Sequence, residues 1–488
     1  GLASLAGEAH PTGEARLAAT AHPTPGAALM DAIRDPVRFI DERTSSAPLI
    51  KKVMRYLFPD HWSFLLGEVV LYSFIVLIAT GVYLALFFEP STAHTIYHGP
   101  YKPLDGRDMS DAYKSVVDIS FSVKAGLLIR QTHHWAADIF IAAMAIHLMR
   151  VFFTGAFRKP RELIWLVGLL LIFTSLLEGY LGYSLIDDLL SGMGLAIGYG
   201  VGLSLPIIGG PLTQAIFGAP FPGTHAFWSR MFITHVFLLP VLLAVLIGVH
   251  LALVAARHHT QFKETARHTQ RRIIGLPTFP AQTPRSIALM LFTAAVLFLL
   301  GGLIQVNPIW QWGPYEPWLA TNGAQPDWYL GWLIGALRLM PSFDVTIGHF
   351  TLIPNPFWGG VAFPLVVLMV LAVFPWAERR LTGDHRVHNI ADRPRNAPNR
   401  TAFGVAFLSW VFLIFIFGAA DRIFVLWGLS YDFQLYFFRV AIWVVPAILF
   451  FVVRRACREL RGADLLEEDQ ELAEHAVAQR EQAARAPT

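Results

Sequence analysis

Long apolar runs alternate along the chain with shorter stretches dense in charge. Eight runs approach the ~20 residues that a helix needs to cross a bilayer: 67–88, 127–153, 163–183, 231–255, 287–304, 356–376, 402–419 and 435–453. The pattern predicts an all-α, polytopic membrane protein with eight transmembrane helices.

The connections carry a charge signal that gives this count a direction. FRKPRE follows the second run, RHHTQFKETARHTQRR the fourth, ERRLTGDHRVHNIADRPRNAPNR the sixth and RRACRELR the eighth. All four lie on one side if eight helices span the membrane. Between the fifth and sixth runs, residues 305–355, the only Lys or Arg is Arg338. The positive-inside rule then places both termini in the cytoplasm of a multi-pass plasma-membrane protein. Three outer connections are long, roughly 89–126, 184–229 and 305–355, and the last two carry apolar runs with Gly/Pro breaks that predict partial folding.

Four regions follow. Residues 1–58 are an N-terminal leader and a cytoplasmic surface segment, with 1–30 expected to be flexible and 30–58 helical in part. Residues 59–258 hold the first four helices as a bundle, and 259–460 the last four with a long outer loop. Residues 461–488 are an acidic, alanine-rich tail, expected as soluble helix or disordered. The chain starts at Gly1 instead of Met, as a processed or engineered start would.

Composition narrows the chemistry. The chain is 55% hydrophobic and 15% charged, against about 25% charged in soluble domains. The formal net charge of +3 gives no nucleic-acid footprint. A single cysteine, Cys457, excludes a disulfide framework, a cysteine-ligated iron–sulfur cluster, a structural zinc site and covalent haem attachment. Any redox cofactor is held by other side chains.

The second helix contains QTHHWAADIFIAAMAIHLMR, and histidine in hydrocarbon is costly without a partner. His133 and His147 are 14 residues apart. That interval misses four full turns by only ~40° and separates the two by ~21 Å in depth, so they share a face near opposite membrane surfaces. His134 points elsewhere. The fourth helix has His235 and His250, 15 residues apart with Pro240 between them, an offset of ~60° that a bend or rewinding could absorb. Both helices run from outside to inside, so His133 matches His235 in depth and His147 matches His250. Two stacked bis-histidine sites result, and imidazole pairs between facing helices suit haem iron. Arg130, Arg150 and Arg230 flank these levels where anionic propionates would emerge. Each histidine alone could equally bond a backbone carbonyl; four at matched depths favour ligation.

Glycines repeat the interval. Gly67 and Gly81 lie in the first helix, Gly168 and Gly182 in the third, each pair 14 apart. Ordinary small-residue packing explains one such pair; the interval shared with the histidines favours contact with two rings. In the long outer loop, Pro326-Asp327-Trp328-Tyr329 places an acid beside two aromatics. An outward quinol site needs a group that takes a proton, and an interfacial aromatic belt with a solvated acid fits the same four residues.

With these residues assembled, the chain resembles cytochrome b of the quinol–cytochrome c reductases, most closely its actinobacterial form. The resemblance covers about residues 55–460 and includes GAFRKPREL after the second helix and DRPRNAPNRTA before the seventh. It implies two non-covalent b-type haems, the low-potential one on His133 and His235 and the high-potential one on His147 and His250. Gly67, Gly81, Gly168 and Gly182 match the glycines that contact the rings. Pro326, Asp327, Trp328 and Tyr329 match the PEWY-type motif of the quinol oxidation pocket, with Asp in place of Glu. The implied activity is that of a quinol–cytochrome c oxidoreductase subunit. Quinol is oxidised near the outer face; one electron goes to a Rieske iron–sulfur subunit and the other through both haems to a quinone near the cytoplasm. Asp327 helps export protons, with Asp187 and Asp188 as further candidates, and His258 is the candidate at the inner quinone site. The actinobacterial likeness implies menaquinone. Further implied partners are a cytochrome c subunit, a terminal oxidase and a second copy in a dimer.

Two departures stand out. The 15-residue interval in the fourth helix matches chloroplast relatives, yet the fourth and fifth helices are joined here. In GYSLIDDLLSG the family's frequent proline is missing, with Ile186, Asp187 and Asp188 in the turn. Two rival readings are a dihaem dehydrogenase anchor, which has no reason to carry PDWY or four further helices, and a transporter, which would show broken helices or internal repeats.

Overall fold

The computed structural model describes residues 36–485 except 37, 266, 320, 322–325 and 424; for 425 and 463–485 it describes the backbone only. The leader expected over 1–30 lies outside the described residues. The chain divides into two compact units, Gly1–Tyr56 and Leu57–Thr488. In the first, residues 38–44 are helical and a second helix runs Ala47–Met54. The Asp41 carboxylate accepts from the Ala47 amide at 2.6 Å, tying the two together.

The second unit contains eight helices long and apolar enough to span a membrane: α1 (Trp62–Ala85), α2 (Gly126–Phe153), α3 (Glu162–Ser184), α4 (His225–Arg257), α5 (Thr278–Leu303), α6 (Trp358–Thr382), α7 (Pro398–Gly418) and α8 (Tyr431–Gly462). Helices are the natural solution in lipid, because every backbone N–H and C=O can be satisfied within the segment. Large apolar side chains such as Ile78, Val82, Phe237, Val241, Phe292 and Phe451 remain on the outside of the bundle. Lipid would cover them.

Each expected run lies within one of these helices or overlaps it closely, and the helices extend beyond the apolar runs at several ends. The eighth continues as backbone helix to Arg485, so the tail is helical through that point. All three long outer connections carry helix: Asp111–Phe121 in the first, Leu189–Leu203 and Gly209–Phe217 in the second, Gly331–Leu339 in the third. Short antiparallel ribbons brace the ends, pairing Leu57–Phe58 with Leu276–Pro277 and His94–Ile96 with Asp108–Ser110.

Within the bundle α1 packs on α2, α3 on α4, α5 against α1 and α2, and α7 on α8. Phe140, Ile141, Met144, Leu171 and Leu243 form a core that also receives Tyr329 and Leu330 from the third outer connection. A second core joins Leu339, Phe363, Ile414, Phe417 and Phe438 under α6, α7 and α8. The PDWY loop is thus seated on the first four helices.

The 15-residue interval between His235 and His250 has a local solution. Thr234–Leu238 is a π-helical turn inside α4, immediately before Pro240. A π-turn takes up one extra residue. The interval therefore winds as 14 residues would, and the fourth-helix pair takes the same ~40° offset as His133 and His147.

Candidate functional site

The outer histidine level is built from four helices. His133 of α2 and His235 of α4 face each other with ring centroids 6.4 Å apart and planes at 82°. A metal ion bound at about 2.0–2.1 Å from one nitrogen of each ring fits within that separation. Each ring's Nδ1 is engaged from behind. Thr80 Oγ1 lies 2.9 Å from His133 Nδ1. The Glu178 carboxylate lies 3.1 Å from His235 Nδ1, and the Glu178 carbonyl 3.2 Å. Such partners fix the tautomer and leave Nε2 to face a metal.

The inner level has His147 on α2 and His250 on α4, each with a matching glycine on the neighbouring helix. Here both Nδ1 atoms are buried without a partner. Among the described residues no group of three or more His, Cys, Asp or Glu is placed to hold a bare ion. Two imidazoles per level suit a metal whose remaining ligands come from a macrocycle.

Glycines and histidines match one to one. A methyl added at Gly81 would lie 3.2 Å from the His133 ring, at Gly67 3.5 Å from His147, and at Gly168 3.8 Å from His250; at Gly182 it would collide with His235. The repeated 14-residue interval is thus a packing register between α1 and α2, and between α3 and α4.

The three arginines differ. Arg130 is buried, with its Nε 3.1 Å from Ser120 Oγ and its Nη2 without a partner. Arg150 lies over the Phe64 ring at 4.0 Å, and its Nη2 is likewise buried and unpartnered. A buried guanidinium with an orphan donor fits an anionic group such as a propionate. Arg230 is exposed and donates to the carbonyls of Ala226 and Ala215 instead.

A cavity of about 570 Å³ opens beside the outer pair, within the range of cofactor and small-molecule sites. Gly81, His133, Gly182 and His235 line it, and so do Arg130, Tyr183, Asp327 and Tyr329. His133 and the PDWY motif, almost two hundred residues apart in sequence, share one chamber. Asp327 accepts from Tyr329 Oη at 2.9 Å through one oxygen and meets His134 Nε2 at 2.9 Å through the other. Tyr329 is buried against Gly179, where a methyl would collide with the phenol. Burial next to the Asp327 carboxylate pushes its phenol well above the ordinary range. Pro326 leads into this turn, and Trp328 stays partly exposed.

Asp187 and Asp188 lie away from the chamber wall. Asp188 caps Leu189–Leu203 by accepting from the Ser191 amide at 3.0 Å. Asp187 adopts a left-handed backbone (φ 58°) and accepts from Ser110 Oγ at 2.6 Å. Burial pushes their carboxyls up to about 7 and about 6 respectively. The turn without proline is held by Asp187 and by pairing with 313–315: Leu189 N donates to Gly313 O and Tyr315 N to Asp187 O.

At the inner end His258 is exposed just past α4, with its carbonyl accepting from Arg161 Nε at 2.8 Å. Its neighbour His259 is the one turned inward, between Phe58 and Phe64 at 5.4 and 5.8 Å, and burial pushes it down to about 3. Nearby, Tyr72 Oη, Gln282 Nε2 and Ser286 Oγ all converge on the Glu68 carboxylate at 3.1–3.2 Å. A cavity of about 190 Å³ adjoins this group.

Sequence reasoning passed over Thr80, His134, Asp138, Glu178 and the Glu68 group. A signal existed for three of them: Glu68, Asp138 and Glu178 are acids inside apolar spans, which mark function or a partner. Thr80 carried none, since its role depends on the helix crossing.

The family model described as Cytochrome b(N-terminal)/b6/petB matches residues 138–314. The cytochrome bc1 complex cytochrome b subunit of Streptomyces coelicolor is 48% identical over 425 residues, 87% of this chain and 77% of that protein. Subunits of the same name from Corynebacterium efficiens and Mycobacterium tuberculosis are each 43% identical, covering 90% and 87% of this chain and 79% and 77% of their own. A solved structure described as Hyperthermophilic respiratory Complex III superposes with a TM-score of 0.63 at 22% identity, over 86% of this chain and 97% of its own, which supports the fold. Together with the paired histidines and the PDWY chamber, these likenesses place the chain in the cytochrome b family, among the cytochrome b subunits of bc1 complexes.

Proposed function

We propose that this oxidoreductase subunit oxidises quinol, most specifically menaquinol, in the outer chamber. The observation that carries the reading is that chamber's shared wall: His133 and His235 with their glycines on one side, Asp327 and Tyr329 on the other. Quinol binds at the Asp327 and Tyr329 end of the chamber, beside the haem slot, and gives up two electrons and two protons, the second proton leaving to the outer aqueous side. Asp327 takes a proton, with Tyr329 and His134 holding its carboxylate in place. One electron passes to a Rieske iron–sulfur subunit, and from there to a cytochrome c subunit.

Two non-covalent b-type haems, when bound by His133/His235 and His147/His250, supply the one-electron relay across the membrane. Thr80 and Glu178 orient the outer ligands, Arg130 and Arg150 receive the anionic edges, and the four glycines leave room for the rings. Arg230 has no such part in this scheme, because its donors go to backbone carbonyls. Quinone is reduced near the cytoplasmic ends of α1 and α5, where Glu68, Tyr72, Gln282 and Ser286 offer a proton-bearing polar group beside a cavity. This is a better place for it than the exposed His258. Protons taken inside and released outside give net translocation.

The basic loops favour cytoplasmic termini; a second copy in a dimer and a terminal oxidase complete the proposed assembly. The first test is haem content per chain with a redox titration. Two b-type haems of separated potential are expected; a haem-free but folded protein overturns the reading.

A further inference from the structure

Asp138 lies in α2, one turn after His134 and in the middle of an apolar span. It is 8% exposed, its Oδ1 has no hydrogen-bond partner, and the carboxyl faces the Trp328 side chain. A carboxylate is expensive at such a place and is retained where function or a partner requires it. Trp328 offers one donor, which leaves the carboxyl's other oxygen unmet.

Its surroundings say what it acts on. The titratable groups that face it are His134 on its own helix, and Asp327 and Tyr329 from the loop packed against α2. Ala137, Phe140 and Ile141 line the outer chamber, whereas Asp138 does not. It therefore acts behind the wall and not on the substrate directly. His134 meets Asp327 at 2.9 Å on one side, with Asp138 one turn further into the membrane.

We propose that Asp138 is a second acid of the outer pocket, a positioning residue whose charge governs how readily Asp327 takes a proton from quinol. This rests on the assignment of quinol oxidation to the Asp327 chamber. A negative charge at Asp138, one turn from the His134 that holds Asp327, opposes a second negative charge at Asp327. Removing it lets Asp327 ionise more easily, so the pocket accepts protons at lower pH.

The test uses the assembled complex in membranes, with Asp138→Asn, Asp138→Glu and Asp327→Asn, and follows haem reduction by a soluble quinol across pH. Asp138→Asn keeps an acceptor for Trp328 and removes the charge. Its haem spectrum is expected to be unchanged, and the acid limb of its rate profile to move down by about one pH unit. Asp138→Glu is expected to restore the profile. An unmoved limb in Asp138→Asn, with haem intact and Asp327→Asn inactive, overturns the proposal alone. Full activity in Asp327→Asn overturns it together with the oxidation site.

A measurement on the unsubstituted complex covers the case in which Asp138→Asn loses its haem. Infrared difference spectra on quinol oxidation are expected to show two buried carboxyl bands, one of which persists in Asp327→Asn. A single band, absent from Asp327→Asn, overturns the proposal.

Discussion

The Tyr329 hydroxyl donates to Asp327 Oδ2 at 2.9 Å while His134 Nε2 meets Asp327 Oδ1 at the same distance. Both carboxylate oxygens are therefore held, one from the same loop and one from α2. Asp327→Asn keeps the shape but cannot take a proton. Positioned acid–base groups contribute about 10²–10⁴-fold, so quinol-driven haem reduction is expected to fall by that order. Haem content and the dithionite-reduced spectrum are expected to stay normal.

The glycine register makes a graded prediction. A methyl at Gly182 collides with His235, whereas one at Gly168 meets His250 at an ordinary 3.8 Å. Overpacking costs about 1–3 kcal/mol. Gly182→Ala is expected to lose roughly 10- to 100-fold in outer haem retention, and Gly168→Ala to keep its inner haem. Haem per chain after detergent washing, resolved by spectrum, compares the two.

Glu178 supports one ligand of one haem. Partners behind a ligating histidine are worth about 10- to 100-fold in metal affinity. Glu178→Ala is expected to weaken the outer haem by that factor and leave the inner one alone, since His147 and His250 have no such partner. Equal loss from both levels would refute the assignment of Glu178 to His235.

Asp187 gives a pH dependence whose sign is fixed. Burial raises its carboxyl from 3.8 to about 7, so the folded state binds the proton more tightly than the unfolded state. Its contribution is full below about pH 4 and is lost as pH rises through about 7. The buried packing around Asp187, between the first and second outer connections, is expected to loosen over that window as the ionised carboxyl seeks water. Hydrogen exchange over residues 108–113 and 185–191 should quicken with it, beyond the intrinsic pH effect, and Asp187→Asn should remove the trend.

Much of this was legible from one-dimensional pattern. The eight spans follow from run length, and the histidine levels from intervals of 14 and 15 on two helices. The glycine pairs follow from the same interval, because helices packed side by side carry a common register. What could not be read depends on crossings. Thr80 reaches His133 only because α1 and α2 pack closely, and Glu178 reaches His235 only because α3 faces α4. Asp188 stands out in sequence as an acid in an outer turn, but its capping of a helix could not be read, since capping depends on where the helix begins. His258 and His259 are adjacent, and only the backbone at the end of α4 decides which one turns inward.

The π-turn at Thr234–Leu238 has a consequence for how such a chain can vary. An insertion inside a spanning helix would ordinarily rotate everything beyond it by about 100° and carry one of two ligands off target. Confined to a single wide turn, the surplus residue is absorbed locally, as an expansion joint absorbs a length of track. His235 and His250 can then stay in line although the helix between them has grown by one position. Length changes in this span are tolerable wherever a turn can widen between the two ligands, and lethal to ligation where it cannot.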